Sequence, residues 1–231
     1  ESLVSGYMSD NDYESALRIL DNINSPSAEM LRTRQKVEFA LGTSRYKAGD
    51  TESALRLFSQ AAASPQPDAL ITRQALLWKA NCLYDLGRWD EAADDYQKFI
   101  RMAPASDPNL TLARYNLAYT RLEQERYDEA LSGFNRLTDA PDVSPAMRAD
   151  VYNRTGDCLY YAERYNEAAE RYRKAYSLNP GAGDYALYRI AMMKGMERDY
   201  AGKTAGLDEM IAQFPSSALV PSALLEKAET Y

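Results

Sequence analysis

The sequence has no histidine and only two cysteines. Without imidazole groups, histidine-based catalysis, histidine metal ligation and a histidine charge switch near neutral pH are excluded. Two cysteines cannot supply a disulfide framework or a four-cysteine zinc site. Valine and isoleucine are scarce as well, with 5 and 6 copies, although buried strands are rich in both. These scarcities exclude an all-β fold and a doubly wound α/β fold.

Positive charge and long apolar runs are also in short supply. The 231 residues include 27 lysines and arginines against 34 acidic residues, a net charge of −7. A general nucleic-acid binder normally carries a basic stripe, so we expect no nucleic-acid partner. The unbroken apolar runs are only a few residues long, which predicts no transmembrane segment.

Alanine and leucine are what the sequence has in excess, with 34 and 25 copies. Both residues lose little side-chain freedom on entering a helix. The composition therefore predicts an all-α fold.

Alanine recurs at a fixed interval of 38 residues, within short segments that also hold acidic residues and, in four of five cases, an aromatic residue. The five alanines are Ala16, Ala54, Ala92, Ala130 and Ala168. Four residues after each one is a large apolar residue: Leu20, Phe58, Tyr96, Phe134 and Tyr172. Twelve residues before the last four is a small residue: Gly42, Ala80, Ala118 and Gly156. This spacing predicts tandem pairs of helices that approach closely where the small residues meet.

The recurring small–tyrosine–alanine–aromatic–proline pattern resembles the tetratricopeptide repeat. The resemblance implies a right-handed superhelical solenoid of antiparallel helix pairs, although the family period is usually 34 and this one is 38. The predicted units are approximately residues 1–26, 27–66, 67–104, 105–142, 143–180, 181–215 and a partial unit 216–231. Because both ends fall inside a unit, we expect a single array cut from a longer one.

One unit departs from the period. The step from Tyr165 to Tyr200 is 35 residues, and Lys203 replaces the recurring alanine. Gly202 and Gly206 flank it inside a predicted helix, where each costs about 1 kcal/mol relative to alanine. We expect this unit to keep its fold, to pack differently and to be a local soft spot.

Several charged and polar residues have simple structural interpretations. Asp12, Asp50, Asp90 and Asp128 are predicted N-caps, and Ser144 and Asp107 are predicted to cap helices that begin at Pro145 and Pro108. The acidic group Asp90, Glu91, Asp94 and Asp95 is expected on a solvated helix face rather than in a catalytic pair. Cys82 and Cys158 are two repeats apart, which predicts two reduced, buried thiols. No phosphate loop or nucleophile motif occurs, so we predict neither an enzyme nor a cofactor.

The resemblance implies a partner-binding surface along the first helices of the units, which in this family line a concave groove for peptides or protein segments. The candidates are Phe39, Tyr46, Asn81, Tyr84, Tyr115, Tyr119, Tyr160, Tyr161, Tyr185 and Tyr188, and the wider set includes Asp85 and Asp157. Tyrosines offer large contact area at low entropic cost, although several of these positions also suit packing between helices.

The predicted function is therefore a non-catalytic protein- or peptide-binding scaffold. A structural spacer that orients other domains of a longer chain is the alternative, and recognition of a glycan by the tyrosines is a third possibility. Phe214-Pro215-Ser216-Ser217 and the following helix resemble units of bacterial cell-envelope repeat proteins. That resemblance favours a periplasmic or outer-membrane-associated location over the cytoplasm.

Overall fold

The computed structural model describes residues 2–230, and the described residues form thirteen α-helices and no strand. A short 3-10 turn, Pro180–Ala182, precedes the eleventh helix. The helices are α1 (Ser2–Ser9), α2 (Tyr13–Asp21), α3 (Ala28–Lys47), α4 (Thr51–Ala62), α5 (Ala69–Asp85), α6 (Trp89–Met102), α7 (Leu110–Glu123), α8 (Tyr127–Thr138), α9 (Pro145–Tyr161), α10 (Tyr165–Leu178), α11 (Asp184–Met196), α12 (Tyr200–Gln213) and α13 (Val220–Ala228). The predicted all-α class is confirmed.

The chain divides into two compact units, unit 1 (residues 1–120) and unit 2 (residues 121–231). In unit 1, α3 packs against α4 and α5 packs against both α4 and α6. In unit 2, α9 packs against α8 and α10, and α11 packs against α10 and α12. These helices thus contact their sequence neighbours within each unit, which is the packing expected of an array of helix pairs.

The recurring positions of the sequence form the centre of each pair. All five recurring alanines have no exposed surface, and Phe58, Phe134 and Tyr172 are equally buried. A Cβ atom added to Gly42 would lie 2.9 Å from Cε1 of Phe58, and one added to Gly156 would lie 2.6 Å from Cε1 of Tyr172. The small residue therefore leaves room for the aromatic ring of the following helix, as the spacing predicts.

The turn inside each pair uses one residue in the left-handed region of backbone conformation. These residues recur with the repeat: Asn11, Gly49, Gly87, Glu125, Glu163 and Arg198, with φ between 59° and 81°. At Gly49, the amide donates to the carbonyl of Tyr46, and the next amide donates to the carbonyl of Arg45. This is the Schellman arrangement, which satisfies the last carbonyls of the first helix.

Two kinds of residue follow the left-handed position and occupy the N-cap position of the second helix. Asp12, Asp50 and Asp199 accept a hydrogen bond from the amide three residues later. Where arginine stands instead, it makes no side-chain cap but pairs with a glutamate three residues on, as in Arg88–Glu91 at 2.7 Å. The predicted N-caps Asp90 and Asp128 are therefore wrong, because both lie within the first turn and the N-caps are Arg88 and Arg126.

Because left-handed conformation costs about 1–2 kcal/mol for a residue with a Cβ atom, we expect Glu163→Gly to stabilise the protein. The gain should be about 0.5–1 kcal/mol, since glycine also loses more freedom on folding. Gly49→Ala should destabilise it by about 1 kcal/mol. Urea unfolding followed by circular dichroism measures both changes. Glu163→Ala removes the same charge but keeps the Cβ atom, so a similar gain in that control would contradict the conformational explanation.

The linkers between pairs are held by buried or half-buried polar side chains of the first helices. Gln35, with no exposed surface, donates to the carbonyl of Ala61 at 2.8 Å and accepts from the amide of Asp68 at 2.8 Å. Arg73, 38 residues later, donates to Asp107 at 2.9 Å. Asp107 also accepts from the amide of Asn109, and α7 begins only at Leu110. The prediction that Asp107 caps a helix starting at Pro108 is thus wrong, because Asp107 closes a linker turn.

In unit 2 the corresponding linker carries a different contact. Arg148 donates to the carbonyls of Thr138, Ala140 and Val143. Ser144 caps α9 by accepting from the amide of Met147, with Pro145 at the first helical position, so this predicted cap is confirmed.

The unit with the 35-residue step keeps two continuous helices, α11 and α12. Lys203, which replaces the recurring alanine, reaches Glu226 at 2.6 Å. Gly206 approaches Ala191, since an added Cβ atom would lie 3.0 Å from the alanine Cβ. The glycine thus provides close approach between α11 and α12, which is the different packing that the sequence predicts.

A tyrosine-lined cleft as the candidate binding site

Unit 1 contains a cleft of about 400 Å³ between its first helices. Tyr46 comes from the last turn of α3, Asn81 and Tyr84 come from α5, and Tyr115 and Tyr119 come from α7. The other lining residues are Asp85, Tyr96 and Asn116. The 38-residue period places these residues at related positions of three successive first helices, with Tyr96 added from the second helix α6.

Two hydrogen-bonded groups shape the polar part of the cleft. The Tyr46 hydroxyl donates to Asp85 at 2.7 Å, which joins α3 to α5. Tyr96 donates to Oδ1 of Asn81 at 2.6 Å, and the Asn116 amide is 3.3 Å from the same oxygen. Burial raises the pKa of Tyr46 and of Tyr96, and the charge of Asp85 raises both further. Both phenols are therefore neutral at physiological pH.

The aromatic part of the cleft is a set of rings inclined to one another. The Tyr84 and Tyr119 centroids are 6.0 Å apart with the rings edge to face, and the Tyr115 and Tyr119 centroids are also 6.0 Å apart. Beside the cleft, the Tyr46 ring meets Trp78 edge to face at 5.2 Å. Such pairs stabilise one another and hold the rings in defined orientations.

Unit 2 holds a different polar group in the corresponding part of its helix pairs. Asp157, only 4% exposed, accepts hydrogen bonds from Tyr172 at 2.8 Å and Tyr185 at 2.6 Å. Its other oxygen accepts from Arg154 at 2.9 Å. Arg189 donates to the Tyr172 hydroxyl at 3.0 Å, and its guanidinium carbon lies 4.4 Å from the Tyr160 ring centroid. This compact group joins α9, α10 and α11.

The two groups occupy equivalent positions of the repeat. Asp157 and Tyr172 stand 76 residues, two periods, after Asn81 and Tyr96. Arg189 corresponds to Asn116 once the 35-residue step is allowed for. The same arrangement of a second-helix tyrosine, a first-helix acceptor and a donor from the next first helix is therefore neutral in unit 1 and ionic in unit 2.

The ten candidate residues fall into three sets. Five line the unit 1 cleft: Tyr46, Asn81, Tyr84, Tyr115 and Tyr119. Tyr160 and Tyr185 surround Arg189 in unit 2. The other three pack elsewhere: Phe39 against Phe58, Tyr161 stacked on Tyr127 at 4.7 Å, and Tyr188 beside the buried cluster of α11 and α12.

The sequence did not predict five residues of these groups as site residues, namely Tyr96, Asn116, Arg154, Tyr172 and Arg189. The interval of 15 residues from Asn81 to Tyr96 recurs from Asp157 to Tyr172, and this repetition is a signal that could have found the tyrosines as partners. Asn116 and Arg189 belong to the following pair, so their contacts follow from packing between pairs rather than from a local motif.

The carboxylates and thiols considered as reactive groups have structural surroundings. Asp95 is 2% exposed and pairs with Lys79 at 2.8 Å and Lys98 at 2.9 Å, so its predicted position on a solvated face is wrong. Cys82 and Cys158 are free and buried, as predicted. Burial raises the pKa of each thiol to about 12, which keeps both protonated and poorly nucleophilic. Within residues 2–230, no helix combines the length and apolar character needed to span a bilayer.

Two family models describe parts of this sequence, both as the tetratricopeptide repeat. One matches residues 39–107, which include α4, α5 and α6. The other matches residues 149–182, which include α10. No curated protein matches the sequence.

Solved structures of repeat proteins share the fold at low sequence identity. MamA from Desulfovibrio magneticus RS-1, residue 41 to its end, is 18% identical with a TM-score of 0.68, covering 80% of this chain and 97% of its own. A repeat protein fragment from Cytophaga hutchinsonii is 14% identical with a TM-score of 0.66, covering 99% of this chain and 84% of its own. YrrB, described as having an unusual peptide-binding site, is 18% identical with a TM-score of 0.60 and covers 82% and 91%.

Proposed function

The chain belongs to the tetratricopeptide repeat family, and from this membership we propose that it is a non-catalytic scaffold that binds a protein segment in the unit 1 cleft. The observation that carries the proposal is the convergence of tyrosines from α3, α5 and α7 on one cleft of about 400 Å³. Binding pockets are concave, largely aromatic and supplied with a few polar groups that fix orientation, and this cleft has each property.

The cleft suits a peptide better than a small metabolite. Its lining comes from three successive first helices, so an extended segment would contact each of these helices in turn. Tyrosine supplies apolar area with a polar hydroxyl and few rotatable bonds, which favours recognition of mixed surfaces. The Asn81 and Asn116 side chains add amide groups of the kind that hydrogen-bond to peptide backbone.

We assign binding to the cleft residues Tyr46, Asn81, Tyr84, Tyr115 and Tyr119. Tyr160 and Tyr185 act mainly in packing, because Arg189 and Asp157 already engage them. Catalysis is not part of the proposal, since the buried Asp95 and Asp157 are paired with cations and both thiols are held protonated.

A peptide selection tests the scaffold function directly. Random peptides displayed on phage are selected on the immobilised chain, and their dissociation constants are measured by fluorescence anisotropy. We expect Tyr84→Ala and Tyr119→Ala to weaken the selected peptides by about tenfold or more, because central aromatic residues carry most of the binding energy. Tyr200→Ala is the matched control, since Tyr200 is 54% exposed and lies in unit 2. The Tyr200→Ala variant should bind the selected peptides with unchanged affinity.

The alternative, a structural spacer, predicts the opposite outcome. Selection would then return no peptide, or peptides that bind the cleft variants and the unaltered chain equally well. Circular dichroism of Tyr84→Ala and Tyr119→Ala separates lost binding from lost folding.

A further inference from the structure

The unit 1 cleft has the electrostatic character of a cation site. Among the lining residues that the structure describes, Asp85 carries the one formal charge. Tyr46 donates to one oxygen of this carboxylate, and a carboxylate can accept several hydrogen bonds, so Asp85 retains capacity for a further donor. Asp85 is exposed, which places this capacity within reach of a ligand.

The helix ends add to this negative character. Tyr46 lies in the last turn of α3, and Asp85 is the final residue of α5. The C-terminal end of a helix carries partial negative charge. The last turn of α3 also holds Arg45 and Lys47, whereas the last turn of α5 holds no basic residue, so the contribution comes mainly from the end of α5.

The rings provide a second attraction for a cation. Aromatic faces attract ammonium and guanidinium groups within about 6 Å of the ring centroid. The Tyr119 centroid is 6.0 Å from both the Tyr84 and the Tyr115 centroids. A cation seated beside Tyr119 can therefore interact with more than one of the three rings.

Unit 2 contains an intramolecular example of the same interaction. There the Arg189 guanidinium lies over Tyr160, beside Asp157. Tyr160 is the repeat equivalent of Tyr84, and the residue of unit 1 that corresponds to Arg189 is the uncharged Asn116. The Asn116 amide is directed to Asn81 and Tyr96. Unit 1 thus repeats the tyrosines of this arrangement and replaces its cation with an amide.

We propose that the unit 1 cleft receives a lysine or arginine side chain of the bound segment, with its charged group beside Tyr84 and Tyr119 and paired with Asp85. This inference rests on the proposed function, because it names the chemistry that the scaffold would recognise. The ammonium and guanidinium groups share that chemistry, and the experiment compares them.

Small probes test the chemistry without a known partner. The chain is labelled with carbon-13 in its tyrosine rings and titrated with n-butylammonium and n-butylguanidinium, with n-butanol as the neutral analogue and butyrate as the anion. We expect saturable shifts of the Tyr84 and Tyr119 signals with one or both cations, weakened by added KCl. Equal affinity for n-butanol, or preference for butyrate, would overturn the proposal.

A charge-matched pair of variants locates the binding group. Asp85→Asn should weaken cation binding by about three- to fivefold, as expected for a solvent-accessible ion pair, while its amide oxygen can still accept from Tyr46. Asp94→Asn changes the net charge equally, at an exposed position of α6 outside the cleft lining, and should leave the affinity unchanged. An equal effect of the two variants would exclude a specific role for Asp85.

The two proposals fail in different ways. If phage selection yields peptides that need Tyr84 and Tyr119 but bind equally well after each lysine and arginine is replaced by glutamine, the scaffold function holds and the cation site is wrong. If the cations bind the cleft and no peptide does, the cation site holds and the scaffold function is wrong.

Discussion

Replacing Asp157 with alanine is expected to lower the free energy of unfolding by about 3–5 kcal/mol, the usual cost of breaking a buried ion pair. Asp157 is 4% exposed and accepts from Tyr172, Tyr185 and Arg154. Alanine would leave the two phenols without this acceptor and would remove one carboxylate partner of the half-buried Arg154 guanidinium. Each unsatisfied group carries its own desolvation cost.

Urea denaturation followed by circular dichroism measures this loss. Glu167→Ala is the control, because the Glu167–Arg164 pair at 2.6 Å is exposed and such pairs contribute little. A loss no larger than that of the control would show that Asp157 is not the centre of the group.

A double substitution examines the equivalence of the two polar groups. Asp157→Asn alone leaves Arg154 and Arg189 facing an amide, whereas Asp157→Asn with Arg189→Asn reproduces the uncharged Asn81–Tyr96–Asn116 arrangement of unit 1. Because the two residues share partners, their effects should not add. The double variant should therefore lose less stability than the sum of the single variants.

Phe58→Ala should lower the free energy of unfolding by about 3–5 kcal/mol as well, since it removes a fully buried ring and leaves a cavity. The ring fills the space above Gly42, stacks on Trp78 at a centroid distance of 6.0 Å and contacts Phe39 at 5.7 Å.

Tryptophan fluorescence reports this change, because the lost ring is the stacking partner of Trp78, one of the two tryptophans. Urea midpoints from fluorescence and circular dichroism should both fall. Leu70→Ala, at a residue that is 52% exposed, should change the midpoint little. A Phe58→Ala midpoint close to that of Leu70→Ala would mean that the surroundings collapse into the vacated space.

The helix pairs and their central contacts could be predicted because they depend on residue size at a fixed interval. Gly42 with Phe58 and Gly156 with Tyr172 show this. In each case the small residue and the ring are 16 positions apart, and this spacing brings them together when two helices fold back on one another. Tyr46, Tyr84 and Tyr119 line one cleft because they stand on successive first helices of the repeat.

The remaining features depend on side-chain geometry between neighbouring helices, which periodicity does not encode. The sequence predicts Asp95 on the solvated surface, but the side chain is buried in an ion pair with Lys79 of the preceding helix. Asp90 and Asp128 fit an N-cap pattern, but the left-handed residues Gly87 and Glu125 end the turn early and put arginine at the cap. In each case, a residue on a different element determines the outcome.

The linkers between the pairs have a consequence for how such an array can diverge. The left-handed turn inside a pair is built from backbone hydrogen bonds and accepts glycine, asparagine, glutamate or arginine, so recombination between repeats at that point would preserve it. The linkers instead depend on individual contacts: Gln35 with Ala61 and Asp68, Arg73 with Asp107. A helix pair moved to another place in the array would lose the side-chain contact that holds its linker. The turns inside the pairs can therefore be exchanged between repeats, whereas each linker depends on the residues of its own repeat.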